Sequence, residues 1–144
     1  MNKVHFSTES NEWETPQELY DELNKEFSFT LDPCATKESA KCDKYYNEED
    51  DGLSKDWSKD IVFMNPPYGR KINKWIEKAY RESLWGAIVV CLIPARTDTR
   101  YWWDYIFPYA EIRFIKGRVK FKKDGNSAPA PFPSAIVVFK KKGE

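Results

Sequence analysis

Residues 61–70 read IVFMNPPYGR, and Asn65, Pro66, Pro67 and Tyr68 are the residues of this chain best suited to chemistry. The apolar run before them predicts a buried strand. A plain turn after such a strand needs neither a primary amide nor a pair of imides. Asn65 offers a side-chain carbonyl and Pro66 a backbone carbonyl, two acceptors close together. The prolines fix φ and push the residue before each away from the helical region, so the turn is stiff and its carbonyls are aimed by the frame. Gly69 lets the chain pass close by without a clash.

Two aimed acceptors suit a planar amine whose lone pair is delocalised into a ring, such as N6 of adenine. Taking both hydrogens draws electron density back onto nitrogen, and acceptors already in place need not reorganise as charge develops. Tyr68 offers a flat surface on which a base can stack, worth ~1–3 kcal/mol by analogy with single-strand binding. An amine held this way can attack an activated methyl group directly, so no covalent intermediate is needed and orientation supplies much of the rate. The single histidine, His5, stands near the N-terminus, which argues against a His-dependent triad.

The elements that must position this turn follow from the rest of the chain. At 144 residues, 41% hydrophobic and 32% charged, the chain reads as one globular domain. TPQELYDELNKEF is an amphipathic helix with Thr15 as N-cap and Pro16 at the first helical position. SFTLDPCA is a short strand ending in Asp32-Pro33, and a further short strand is expected around Cys42 to Tyr46. NKWIEKAYRESLW reads as a helix with Trp75, Ile76, Ala79 and Leu84 inward. GAIVVCLIPA is a strand buried on both faces. TDTRYWWDYIFPYA is helix-like, while AEIRFIKGRVKF and SAIVVFKKK are strands joined by an extended, mobile, proline-rich loop.

This alternation predicts an α/β fold, a mostly parallel sheet with helices on its faces and an antiparallel C-terminal hairpin. Ligands in such sheets bind outside the carboxyl ends of the strands. Three strands end in LDPCA, FMNPPYG and LIPART, and as neighbours they would line one cleft.

Composition narrows the setting. Residues 1–60 hold seven Lys+Arg against 16 Asp+Glu, and the remainder holds 16 against seven. The net charge of zero therefore hides an acidic half and a basic half, and a basic face can meet a polyanion. No apolar run is long enough to span a bilayer, and MNKVHFSTESNEWE lacks the form of a signal segment. Cys34, Cys42 and Cys91 are odd in number without a C-x-x-C pair, which points away from disulfides and bound metal and towards a reducing cytoplasm.

NPPY at a strand end resembles the amino-methyltransferase signature [DNS]-P-P-[YFW]. With EWETP, LDPCA, YYNEEDDGLSKDW, MNPPYG, LIPARTDTRYW, KGRVKF and APFPSAIVVF, the chain resembles the small phage-type DNA N6-adenine methyltransferase (Dam-like) family over nearly its whole length. The resemblance implies a Rossmann-like fold using S-adenosylmethionine in one catalytic domain, residues 1–144, without a separate target-recognition domain. It implies cofactor contacts from Thr15, Pro16, Asp32, Pro33 and Cys34, from Asp51 at the cofactor's adenine, and from Asp43 as a candidate at the ribose. It implies DNA as partner and the bacterial cytoplasm as location. The glycine-rich loop of general methyltransferases is missing from DPCATKES, so close approach to the cofactor must be made differently.

Arg70 and Lys71 after the NPPYG turn, Arg96 and Arg100 in PARTDTRYWW, and Arg118 near the C-terminal strands are candidate phosphate contacts. A duplex substrate would need its adenine flipped out at a cost of a few kcal/mol. Three other readings use the same residues: methylation of RNA or of protein glutamine, a non-catalytic DNA-binding protein on a decayed frame, and a cytosine C5 enzyme with Cys34 as nucleophile. The last would leave NPPY without a role.

Overall fold

Residues 13–123 and 126–142 are described by the computed structural model; His5 and most of the polar N-terminal stretch lie outside them. Helix α1, Gln17–Phe27, turns Tyr20 and Leu23 into the core. Its N-cap is Pro16 and no side chain caps it, because the Thr15 hydroxyl is engaged elsewhere. Ser28 ends it in a left-handed conformation, and the Phe29 N–H donates to Asn24 Oδ1 at 2.8 Å. The strand expected in SFTLDPCA, ending in Asp32-Pro33, is an extended segment without a ladder of its own. It meets its neighbours through single parallel bridges, Leu31 with Val62 and Asp32 with Tyr45. The strand expected around Cys42 to Tyr46 is reduced to the second of these.

Strand β1, Ile61–Met64, and strand β2, Ile88–Pro94, are parallel, with Met64 opposite Cys91. Helix α2, Ile72–Leu84, connects them and buries Ile72, Ile76, Ala79 and Ser83. Leu84 is 51% exposed. The inner stripe reaches Ser83, and the next residue lies about 100° further round the helix. After β2 comes a π-helical turn, Trp102–Ile106, that runs into a short helix α3, Phe107–Tyr109. Trp102 is buried, whereas Trp103 is 63% exposed.

Strand β3, Glu111–Phe114, and strand β6, Ser134–Phe139, complete a sheet of order β1-β2-β6-β3. The expectation of a mostly parallel sheet is corrected here. The four-stranded sheet is mixed, with one parallel ladder and two antiparallel ones, because β6 returns between β2 and β3 and opposes both. The expected hairpin at the edge is corrected for the same reason: β6 lies inside the sheet.

AEIRFIKGRVKF is two strands, not one. Gly117 takes φ +77, a backbone state open to glycine at little cost, and the chain turns away from the sheet. Strand β4, Lys120–Lys123, then pairs antiparallel with strand β5, Asn126–Pro129. The proline-rich segment expected to be mobile thus contributes a strand, and Ala130 and Phe132 beyond it are buried. Lys122 also exchanges both backbone hydrogen bonds with Glu14, at 3.1 and 3.0 Å. Residues 13–15 are therefore a strap lying along β4. No helix among the described residues is long and apolar enough to cross a membrane.

Candidate active site at the carboxyl edge of the sheet

Three chain ends leave the sheet on one side. Leu31 pairs with Val62, so Asp32-Pro33-Cys34 emerges beside the end of β1, and β2 continues past Met64 to Pro94. The Tyr68 hydroxyl donates to the Leu92 carbonyl at 2.8 Å, which folds the NPPY turn back over β2.

Asn65 is the centre of the arrangement. Its Nδ2 donates to the Trp13 carbonyl and to Thr15 Oγ1, the latter at 2.9 Å. Its Oδ1 is buried and has no hydrogen-bond partner. An orphaned buried acceptor costs ~1–3 kcal/mol, and native structures hold few of them. This one sits on the side chain that the sequence singles out for accepting an amine.

Tyr68 is 1% exposed. The Trp13 indole lies over its ring, and Phe121 and Phe132 meet it edge-on at 6.0 and 5.7 Å. Tyr68 therefore presents no open face for a base, and Asn65 Oδ1 has no exposed surface. The site is closed in this state. The strap carrying Trp13 packs on both residues. Trp13, Phe121 and Phe132 carry no local signature; the one sequence hint is the placement of Trp13 two residues before the Thr-Pro pair.

Apart from Asp43, which lies two residues before the Tyr45 bridge beside Thr30, the residues assigned to the cofactor lie at the same edge. Thr15 is buried and touches Asn65, and Pro16 follows it into α1. Asp32 is 5% exposed and accepts the backbone N–H groups of Lys41 and Cys34 at 3.1 and 3.3 Å. Burial pushes its carboxyl up to about 6 against the pull of those two donors. Burial, with Asp32 beside it, pushes the Cys34 thiol well up, so a Cys34 thiolate nucleophile is disfavoured. Asp51 is exposed and left-handed at φ 56. Asp43 is exposed on the segment past Asp32.

Gly52 makes a close approach to the Asp32-Pro33 end. A Cβ there would stand 2.4 Å from the Pro33 carbonyl oxygen, so the Asp51-Gly52 turn presses on the Asp32-Pro33 end as only glycine allows. The Trp57 indole N–H holds the Gly52 carbonyl at 3.0 Å, and the Trp57 backbone N–H donates to the Glu82 carboxylate of α2. A buried carboxylate, which could take the cationic end of a cofactor, thus stands beside two loops brought together by a glycine.

The basic candidates are sorted by their partners. Among the described residues, Arg70, Lys71, Arg96, Arg100 and Arg118 enter no ion pair, whereas the two remaining arginines are paired: Arg81 with Glu77 and Arg113 with Glu26, both at 2.7 Å. Arg70, Lys71, Arg100 and Arg118 are exposed. Arg96 lies over the Phe132 ring at 5.5 Å, at the rim of the aromatic box around Tyr68. No cluster of three or more metal-ligating side chains occurs among the described residues.

A stiffened turn that keeps a buried acceptor spare thus stands at the carboxyl edge of an α/β sheet. Comparison with known proteins supplies the family: the DNA N-6-adenine-methyltransferase (Dam) family matches residues 4–143, and the chain belongs to it. It is 30% identical over 116 residues to the DNA N-6-adenine-methyltransferase of Escherichia phage T1, covering 79% of this chain and 48% of that one. It is 26% identical over 128 residues to the DNA N-6-adenine-methyltransferase of Haemophilus phage HP1, covering 81% of this chain and 73% of that one. The chain thus spans about half the length of the T1 relative.

Proposed function

We propose that the chain transfers a methyl group from S-adenosylmethionine to the N6 amine of adenine in DNA, as a single catalytic domain on a Rossmann-like frame in the cytoplasm of a bacterial host. The observation that carries the reading is the partnerless, buried Oδ1 of Asn65 beside a fixed Nδ2. Family membership and the parallel run of the Asp32 segment, β1 and β2 support it.

In this reading Asn65 Oδ1 and the Pro66 carbonyl take the two N6 hydrogens, and Pro67 keeps the turn stiff. Tyr68 provides the face for the base once Trp13 has left it. Pro16, Asp32, Pro33, Cys34 and Asp51 would line the cofactor site, which would supply an electrophilic methyl group on a sulfonium when filled. Arg70, Lys71, Arg96, Arg100 and Arg118 meet phosphates.

The test is methyl transfer from labelled cofactor to DNA lacking N6-methyladenine, with RNA and protein as parallel acceptors and the product identified after digestion. N6-methyladenine from DNA is expected. Asn65→Ala should abolish turnover without loss of fold; a variant that turns over normally would refute the reading. Label in RNA nucleosides or methylglutamine alone would move the enzyme to another substrate.

A further inference from the structure

The Asn65 amide has two donor hydrogens and one acceptor oxygen, and its surroundings serve them unequally. The Trp13 carbonyl takes one hydrogen and Thr15 Oγ1 the other, while Oδ1 has no partner. A backbone carbonyl can only accept, so an overturned amide would set two carbonyl oxygens against each other. Thr15 supplies the second restraint from a site that is 3% exposed, where water cannot replace a lost acceptor. Its hydroxyl is not used to cap α1.

We propose that Thr15 is a positioning residue, whose hydroxyl holds the Asn65 amide so that Oδ1 stays turned towards the substrate amine. This rests on the functional reading above and assigns Thr15 a duty to Asn65 in place of the cofactor contact implied by resemblance. With one hydrogen left buried and unpaired, the amide swings, and Oδ1 spends less time where N6 needs it. The cofactor site keeps its carboxylate and its glycine contact.

The experiment compares the full-length chain with Thr15→Val, which keeps the shape but removes the acceptor, and Thr15→Ser, which keeps the hydroxyl. Thr15→Ala is a second deletion of the hydroxyl should the valine variant fold poorly. Measurements are kcat and KM for labelled methyl transfer to DNA lacking N6-methyladenine, cofactor Kd by calorimetry, and the thermal midpoint. The expected result is a kcat about tenfold lower in Thr15→Val, with cofactor Kd and both KM values within about twofold. Thr15→Ser should stay near the parent rate. Weaker cofactor binding with kcat intact at saturation would overturn the proposal and make Thr15 a cofactor contact. Parent kinetics in Thr15→Val would overturn it as well. Asn65→Ala separates the levels: dead Asn65→Ala with normal Thr15→Val sinks only the positioning role, whereas active Asn65→Ala sinks the functional reading beneath it.

Discussion

The indole of Trp13 lies on the ring of Tyr68, with centroids 6.2 Å apart and planes 23° from parallel. It covers the ring that the proposed function assigns to a base, and the Trp13 carbonyl is tied to Asn65 at the same time. Residues 13–15 thus both complete the site and close it.

If opening of the strap admits substrate, the Glu14 and Lys122 amides must lose the hydrogen bonds they exchange. Their hydrogen exchange is expected to speed up about tenfold or more when DNA and cofactor are both added. Unchanged protection during turnover would show that the base enters by another route. Trp13→Ala removes the ring packing and should cost ~3–5 kcal/mol of stability, read by urea denaturation.

Gly52→Ala drives a methyl group towards the Pro33 carbonyl oxygen. Overpacking of this kind costs ~1–3 kcal/mol, and the strain falls on the two loops of the proposed cofactor site. Both the thermal midpoint and the cofactor affinity should drop. A variant with parent values of both would show that the two loops separate freely.

Asp32 gives the pH dependence. Burial raises its folded-state carboxyl to about 6, so the folded chain holds this proton where the unfolded chain has already released it. The contribution to stability is full below the ordinary carboxylate range and disappears as pH rises through about 6. The midpoint of Asp32→Asn relative to the parent should therefore rise between pH 4 and pH 7. A difference that is flat with pH would show that this carboxyl does not titrate there. A cation at Asp32 favours the charged form, so cofactor affinity should weaken as pH falls below about 6 in the parent and not in the variant.

The arginines outside ion pairs are the ones expected to govern DNA binding. Arg100→Ala or Arg118→Ala should weaken it and reduce the steepness of log affinity against log salt by about 0.9 for each phosphate that is no longer neutralised. Arg81→Ala, which removes a pair with Glu77, should leave both unchanged. Equal effects from all three would mean that net charge alone, and not placement, drives binding.

Much of this frame is legible in the chain because its signals are local. IVFM and IVVCLIP are short, continuous apolar runs rich in β-branched residues, the pattern of buried strands, and two prolines after Asn65 announce a stiff turn. What the chain hides depends on pairings between distant residues. Asn65 binds Thr15 and the Trp13 carbonyl 50 and 52 positions away, and nothing near either end of those pairs marks the partner. Gly117 splits a run that alternates well enough to pass as one strand. The proline-rich segment looks like a loop because its pairing with β4 uses backbone groups, which leave no side-chain pattern. Leu84 reads as inward by type, yet the helix phase set by Ile72, Ile76 and Ala79 assigns that face to Ser83.

Helix α2 ties the two halves of the site together. Its first turn follows the NPPY turn directly, Trp75 stacks on Trp57, and Glu82 near its far end grips the Trp57 backbone whose indole grips Gly52. One rod of 13 residues, about 20 Å long, therefore acts as a common ruler for the NPPY turn and the Asp51-Gly52 turn. Their spacing is inherited from helix geometry instead of being negotiated between flexible loops, and a single residue inserted in α2 would swing one anchor about 100° away from the other.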